Sequence, residues 1–260
     1  MPDVWCEGAT PAYSEAVGDI SASLPIRPRQ LIRDQVFATL AEEIISGRMQ
    51  PLEEIRDQDL QAEYGVSRTP IREALNRLAD LGLIEVSTNR FTRVAPVDLD
   101  AQADRVETAV AMIGYCAIKA VPTYTVDQVA SLHARIDGLL DPHLARSPRR
   151  EAIRLWYALW SEIVLSAGNQ TMIDILDGQL ALHLTRTVPA QPVAEELLDY
   201  IRAALGELRA LLERRDGEGV RALIEPLFLR STIEPLRAAA ALAAASASSD
   251  PMRIGRSPGE

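Results

Sequence analysis

The stretch from Glu63 to Val86, EYGVSRTPIREALNRLADLGLIEV, constrains the fold of this chain more than any other. Gly65 ends one short helical pattern, and Ser67 stands where the N-cap of the next helix is expected, with Pro70 within the first helical turn. Apolar residues then recur every three or four positions, which predicts an amphipathic helix from about Arg68 to Leu81. Two helices joined through such a turn are the signature of a helix-turn-helix.

The elements on either side of this stretch complete a small domain. A first helix is predicted from Leu31 to Ser46, where Gly47 ends it, and a short second helix from about Asp57 to Tyr64. Downstream, the β-branched pieces LIEVS and FTRVA are separated by TNR, which indicates a small hairpin. Three helices and a hairpin predict a winged helix-turn-helix over residues 30–98.

The residues that open the predicted third helix suggest contacts with DNA. Arg68 and Arg72 lie four positions apart and share one helix face, and an arginine can donate two hydrogen bonds to a guanine edge in the major groove. Ser67 and Thr69 add hydroxyls beside free backbone N–H groups, where a phosphate can be held. The apolar residues on the opposite stripe, which we expect in the domain core, are Ile71, Leu75 and Leu78.

The total charge of the chain argues against a nucleic-acid partner. The formal net charge is -10, and residues 30–98 hold eight arginines against twelve acidic residues, so the arginine pair could be an ordinary solvated face. Between Arg68 and Arg93, however, five arginines stand against three acidic residues. Because screening at physiological salt acts beyond roughly 8 Å, we expect one basic edge that binds DNA, while the acidic remainder limits nonspecific binding.

The pattern LQAEYGVSRTPIREALNRLADLGLIEV closely resembles the DNA-binding domain of the GntR family of bacterial transcription regulators, over roughly residues 30–97. In this resemblance Gln58 takes the place of an arginine of some members and could read an adenine, and Phe91 replaces a glycine that many relatives carry in the wing. The predicted DNA-binding residues are Gln58, Ser67, Arg68, Thr69, Arg72, Asn89 and Arg90.

From about residue 99 the pattern is all-helical, which makes the fold class mainly α: a winged helix-turn-helix followed by an antiparallel helical bundle over residues 99–237. The predicted helices are Ala101–Ala120, Val126–Leu140, Arg149–Ala167, Gln170–Thr187, Val193–Arg215 and Glu218–Leu236. The segments LSAGNQTMIDIL and ALLERRDGEGVRALI resemble, in a weaker match, the FCD ligand-sensing domain of the FadR branch of the family. Residues 1–29 and 238–260 have no usable period, so we expect a flexible arm and a flexible tail, the tail as a frayed helix.

Many members of that branch bind a divalent metal through an aspartate and a histidine four residues apart and two histidines of later helices. The corresponding positions of this chain are Trp156, Trp160, Leu205 and Leu227. None of these side chains can ligate a metal, so the resemblance implies a domain without metal or cofactor. A buried arginine and glutamate of the family are likewise replaced, by Ala109 and Ile113. The three histidines, which share no helical spacing and are expected at the surface or the edge of the core, are His133, His143 and His183.

The two tryptophans lie at positions i and i+4 and therefore face the same way. We expect Trp156 and Trp160 to be buried side by side at the centre of the bundle; the alternative is an apolar effector cavity that they line with Leu205 and Leu227. The effector would then be an apolar or aromatic molecule or a large acyl thioester. A domain that senses no small molecule is the third possibility.

Other classes of protein find little support in the sequence. We find no phosphate-binding glycine loop, no Gly-x-Ser-x-Gly elbow and no cluster with metal-ligand spacing, so an enzyme is not expected. The N-terminus lacks the pattern of a secretory signal, no apolar run reaches eighteen residues, and Cys6 and Cys116 lie far apart, which predicts a cytoplasmic protein without disulfides.

We therefore expect a homodimeric, sequence-specific repressor that binds an inverted-repeat DNA operator. The dimer follows from the resemblance and from geometry, because one short helix contacts too few base pairs for genomic specificity. The alternative is a helical protein-interaction or dimerisation module that senses no small molecule.

Overall fold

The computed structural model describes residues 31–87, 90–146, 149–186 and 194–248. The described chain is mainly helical, which confirms the predicted fold class. Its residues form two compact units. The first unit contains the described residues up to Val97 and those of Asp141–Ser161 and Gly168–Ala190. The second contains Asp98–Leu140, Glu162–Ala167 and the described residues that follow Gln191.

The first unit begins with three helices and a hairpin. The helices are α1 (Ile32–Ser46), α2 (Asp57–Tyr64) and α3 (Arg68–Asp80). Strands β1 (Ile84–Ser87) and β2 (Phe91–Val94) pair antiparallel, with Ile84 opposite Val94. Each predicted helix end in this region lies within one residue of the observed end, which confirms the winged helix-turn-helix.

Two glycines set the ends of the first two helices. Gly47 and Gly65 have φ angles of 76° and 64°, in the left-handed region that residues with a Cβ rarely adopt. The N–H of Gly65 donates to Gln61 O at 3.0 Å and so closes the last turn of α2. The chain then turns through Val66 and Ser67 into α3, and α3 packs against both preceding helices.

The core of this helix-turn-helix is apolar and fully enclosed. Ile71, Leu75 and Leu78 are buried, as the helical period predicts, and they pack with residues of α1 and of the hairpin. Tyr64, the last residue of α2, donates its hydroxyl to Glu43 Oε2 at 3.3 Å. Burial, together with the charge of Glu43, raises the pKa of Tyr64, so the hydroxyl stays protonated and holds α2 to α1.

The first unit also contains helices from a later part of the chain. Helix α6 (Arg149–Ser166) is followed by α7 (Gln170–Ile175), a π-helical turn (Leu176–Leu180) and α8 (Ala181–Leu184). The helix predicted over Gln170–Thr187 was therefore wrong in its continuity, because the π-helical turn interrupts it, and Thr187 lies outside the described residues. A residue with low helix propensity, Gly178, lies within that turn.

Helix α8 and the residues after it are attached to the winged helix-turn-helix by hydrogen bonds to its backbone. His183 Nε2 donates to Leu81 O at 2.8 Å, just beyond α3, and Arg186 Nη2 donates to Ala95 O at 2.5 Å, just beyond β2. Both side chains are buried, and Leu182 packs into the core of the domain. His183 was expected at the surface or the edge of the core. Its imidazole is buried, so it lies at the edge of the core and not at the surface, where it satisfies a backbone carbonyl of the helix-turn-helix.

The second unit is a group of antiparallel helices. It contains α4 (Leu99–Ala120), α5 (Val126–Leu140), α9 (Glu195–Glu213), α10 (Gly217–Phe228) and α11 (Glu234–Ser248), with a π-helical turn at Leu229–Ile233. Helix α4 packs against α10 and α11, and α9 packs against α5 and α10. Ala109 and Ile113 of α4 are buried in this apolar packing.

The end of the second unit differs from the sequence-based expectation. A single helix was predicted over Glu218–Leu236, but the π-helical turn at Leu229–Ile233 divides this region, and α11 continues to Ser248. The continuation is rich in alanine, which has the highest helix propensity and needs no apolar period to be helical. Within the described residues, none of the helices combines the length and the apolar character that a membrane span requires.

Candidate nucleic-acid interface

The start of α3 presents four of the predicted DNA-binding side chains to solvent. Ser67, Arg68, Thr69 and Arg72 are all exposed. Ser67 occupies the N-cap position with an extended backbone, as predicted, but its side chain makes no capping hydrogen bond. The first backbone N–H groups of a helix have no partner within the helix. The hydroxyl and the helix start therefore offer donors to a phosphate group.

One carboxylate of α2 binds both arginines. Arg68 Nε donates to Asp57 Oδ2 at 3.1 Å, and Arg72 Nε donates to the same oxygen at 3.2 Å. The arginine side chains are 61% and 63% exposed, whereas the Asp57 side chain is 20% exposed. Sequence reasoning treated Asp57 only as the start of a helix. Its role depends on the angle between α2 and α3, which no local pattern encodes.

The other predicted contacts lie on α2 and in the wing. Gln58 is exposed and follows Asp57 on the first turn of α2. Arg90 is exposed at the hairpin turn, where its backbone N–H donates to Ser87 O at 3.0 Å. The predicted contact at Asn89 lies outside the described residues.

Phe91, which stands at the wing position where many relatives carry glycine, is half-buried at the start of β2. The guanidinium of Arg93 lies 4.2 Å from the centre of its ring, and Arg93 Nη2 also binds Glu85 at 2.7 Å across the hairpin. The aromatic ring therefore stabilises the hairpin by packing beneath an arginine.

Ion pairs also occupy the arginines on the far end of α3 and on α1. Arg77 Nη1 lies 3.5 Å from Asp34 Oδ1 and its guanidinium stacks on Phe37, while Arg33 binds Glu73 at 3.4 Å. Ion pairs this exposed contribute only about 0–1 kcal/mol each. A DNA phosphate or base can therefore replace or join such a carboxylate at small cost.

The tryptophans and leucines of the predicted effector cavity divide between the two compact units. Trp156 and Trp160 belong to the first unit, where their ring centroids lie 5.4 Å apart with an interplanar angle of 73°. Leu205 and Leu227 are fully buried in the second unit. The expectation that both tryptophans are buried side by side was wrong in part: Trp160 is buried, but Trp156 is half-buried, and the rings meet edge to face.

The side chains that commonly bind metals are dispersed. Within the ranges that the structure describes, no three His, Cys, Asp or Glu residues lie close enough to hold a metal ion. His133 is half-buried near Arg209 O at 3.4 Å, and His143 is exposed. Cys116 is buried in α4, and burial raises the pKa of its thiol.

Comparison with known proteins agrees with the geometry of the first three helices and the hairpin. Residues 32–94 match the sequence profile of the gntR family of bacterial regulatory proteins. The N-terminal domain is a GntR helix-turn-helix domain. Arg68 and Arg72 therefore lie on the first turns of the third helix of a GntR domain.

Several similar proteins carry the same kind of domain. Over 230 residues the chain is 26% identical to the uncharacterized HTH-type transcriptional regulator BphR of Paraburkholderia xenovorans, covering 84% of this chain and 90% of that protein. Over 79 residues it is 37% identical to the probable D-xylose utilization operon transcriptional repressor of Paenarthrobacter nicotinovorans, covering 30% and 34%. The family and these relatives are transcription regulators, not enzymes.

A solved structure shows that the likeness in fold extends beyond the GntR domain. E. coli McbR/YncC is similar over 80% of this chain and 98% of that chain, with a TM-score of 0.63 and 18% sequence identity. At this identity the likeness shows the fold alone.

Proposed function

We propose that this GntR-domain protein is a sequence-specific repressor that acts in the cytoplasm and binds an operator as a homodimer. The observation that carries the proposal is the pair of exposed arginines, Arg68 and Arg72, at the start of α3. Side chains at the start of a recognition helix contact base edges in the major groove, and arginine pairs with guanine. Relatives that are named as repressors support the direction of regulation.

The first prediction concerns these two arginines. Arg68→Ala or Arg72→Ala should weaken operator binding by about 1–3 kcal/mol if the side chain reads a base, because two hydrogen bonds to a guanine edge are lost. A phosphate contact would instead weaken binding to all sequences alike. The measurement is a gel-shift titration at constant salt, with the upstream DNA of the gene and with a scrambled duplex.

Arg202→Ala provides a matched control. Arg202 is an exposed arginine of α9 that also binds two carboxylates, Asp199 at 2.6 Å and Glu195 at 3.0 Å. Its removal changes the net charge by the same amount and should leave operator affinity unchanged. The assignment of the interface is wrong if Arg68→Ala and Arg72→Ala both bind the operator as tightly as the unaltered protein.

The second prediction concerns the symmetry of the operator. Two recognition helices related by a two-fold axis read the same bases on opposite strands, so the binding site should be a short inverted repeat occupied by one dimer. Footprinting would give the extent of the site, and analytical ultracentrifugation would give the mass of the protein bound to it. A protected site without dyad symmetry, or occupation by a single chain, would contradict the proposal.

For the C-terminal helices we propose an FCD-like sensor that uses no metal. Trp156, Trp160, Leu205 and Leu227 at the ligand positions of that domain support the proposal, since none of them offers a suitable donor. Without a metal, a small carboxylate has no bound cation to hold it, so the expected effector is an apolar, aromatic or acyl-type molecule. Stoichiometric zinc, nickel or manganese in elemental analysis of the purified protein would contradict the metal-free sensor.

A further inference from the structure

Asp57 binds Arg68 and Arg72 through Nε and not through their terminal nitrogens. Each bond uses the Nε–H of the arginine, at 3.1 Å from Arg68 and 3.2 Å from Arg72, and both reach the same oxygen, Oδ2. The terminal Nη1 and Nη2 groups are the other donors of a guanidinium. With more than three-fifths of each arginine side chain exposed, these donors remain accessible to a ligand in front of α3.

The carboxylate of Asp57 offsets the charge repulsion between Arg68 and Arg72 and restricts the rotamers of both side chains. Two guanidinium groups that approach one oxygen at hydrogen-bond distance repel each other, and a long side chain held only at its backbone samples many rotamers. A carboxylate between them offsets the repulsion and fixes each group at Nε. A guanine edge accepts two hydrogen bonds from one arginine. A guanidinium that is already held in place loses less conformational entropy on binding that edge than a mobile one does.

We propose that Asp57 is a positioning residue for DNA reading, which holds Arg68 and Arg72 through Nε so that their terminal nitrogens meet guanine edges. The inference rests on the proposed function, because it assigns a role within the same DNA interface. It identifies the ligand chemistry as two guanine edges of one half-site rather than two backbone phosphates.

The charge of Asp57 also discriminates between base edges and phosphates. A phosphate is an anion and competes with the carboxylate for the same two cations, so a phosphate-bound arginine pair is disfavoured beside Asp57. A guanine edge is neutral and can bind the terminal nitrogens while Nε stays on the carboxylate. Asp57 therefore raises the affinity for the operator and lowers the affinity for DNA of other sequence. Both effects increase the ratio of the two affinities.

Asp57→Asn tests this role, because it removes the charge with little change in shape. The two affinities to measure are those for the footprinted operator and for a scrambled duplex of equal length and composition, across a series of salt concentrations. We expect the operator-to-scrambled affinity ratio to fall about tenfold, with weaker operator binding and stronger binding to the scrambled duplex. Asp57→Glu, which retains the carboxylate, should keep more of the ratio.

Asp34→Asn is the matched control. Asp34 binds one arginine of the same helix, Arg77, at 3.5 Å and is 41% exposed. Its removal adds the same charge to the same domain, so binding to both duplexes should strengthen alike and the ratio should stay within about twofold. Thermal denaturation of each variant should show an unchanged midpoint, which separates positioning from a loss of folding.

The outcomes separate this inference from the proposed function. If the unaltered protein prefers its operator and Asp57→Asn preserves that preference, Asp57 has no positioning role, although the proposed function stands. If the unaltered protein binds both duplexes equally, the proposed function fails and the inference fails with it. Nuclear magnetic resonance of the arginine Nε–H groups in the free protein then shows whether the bridge itself exists: Asp57→Asn should shift the signals of Arg68 and Arg72, and Asp34→Asn should not.

Discussion

Replacing Trp160 with alanine should lower the free energy of unfolding by about 3–5 kcal/mol, the usual cost of truncating a buried aromatic residue. Trp160 is only 2% exposed and lies in α6 in edge-to-face contact with Trp156. Removal of the indole leaves a cavity that the surrounding helices can close only in part. The measurement is urea denaturation followed by circular dichroism, which does not depend on the fluorescence of the missing residue.

Trp156→Ala is the internal comparison for this result. Trp156 is half-buried, so its truncation exposes less apolar surface and should cost less than that of Trp160. Both variants lose the edge-to-face contact, which contributes about 0.5–1.5 kcal/mol. A loss at Trp160 below about 1 kcal/mol, together with tryptophan fluorescence that responds to an apolar compound, would indicate a ligand cavity instead of a packed core.

Gly217→Ala should destabilise the second unit by about 1–3 kcal/mol or more, because helix α10 begins in direct contact with the backbone of α4. A Cβ on Gly217 would lie 2.5 Å from Ala117 O and 3.1 Å from Ile118 Cα. These are backbone atoms of a helix, so they cannot move aside as a flexible side chain could. The two helices must separate, and thermal or urea denaturation would report the loss.

Gly206→Ala separates this clash from the general effect of adding a methyl group. Gly206 lies in the exposed face of α9, and a Cβ there would have no neighbour within 4 Å. Alanine in the interior of a helix is more favourable than glycine by roughly 0.5–1 kcal/mol, so this variant should gain stability. Equal changes in stability at the two glycines would refute the close approach at Gly217.

The helix ends and core residues of the GntR domain could be predicted from the sequence because they depend on residues close together in the chain. Gly47 and Gly65 end α1 and α2 in left-handed conformations, and the apolar period of α3 correctly identified Ile71 and Leu78 as core residues. These features depend on residues a few positions apart. The same locality explains why the ends of the first three helices were predicted to within one residue.

The remaining features depend on geometry that no short pattern contains. The bridge from Asp57 to two arginines requires the angle between α2 and α3, and its members lie eleven and fifteen positions apart. The π-helical turns replace i→i+4 hydrogen bonds by i→i+5 bonds, a local change that no short apolar pattern marks. The extension of α11 was predicted only as a frayed helix in a flexible tail, because an alanine-rich segment is helical by propensity while showing no amphipathic stripe.

The attachment of α8 to the GntR domain bears on how regulators of this kind can evolve. His183 and Arg186 donate to the carbonyl oxygens of Leu81 and Ala95, and every amino acid supplies such an oxygen. Substitution at positions 81 and 95 therefore leaves both acceptors in place, and selection on these hydrogen bonds acts only on the two donors. Another winged helix-turn-helix of the same backbone geometry would therefore supply equivalent carbonyl acceptors to His183 and Arg186, whatever its side chains at these two positions.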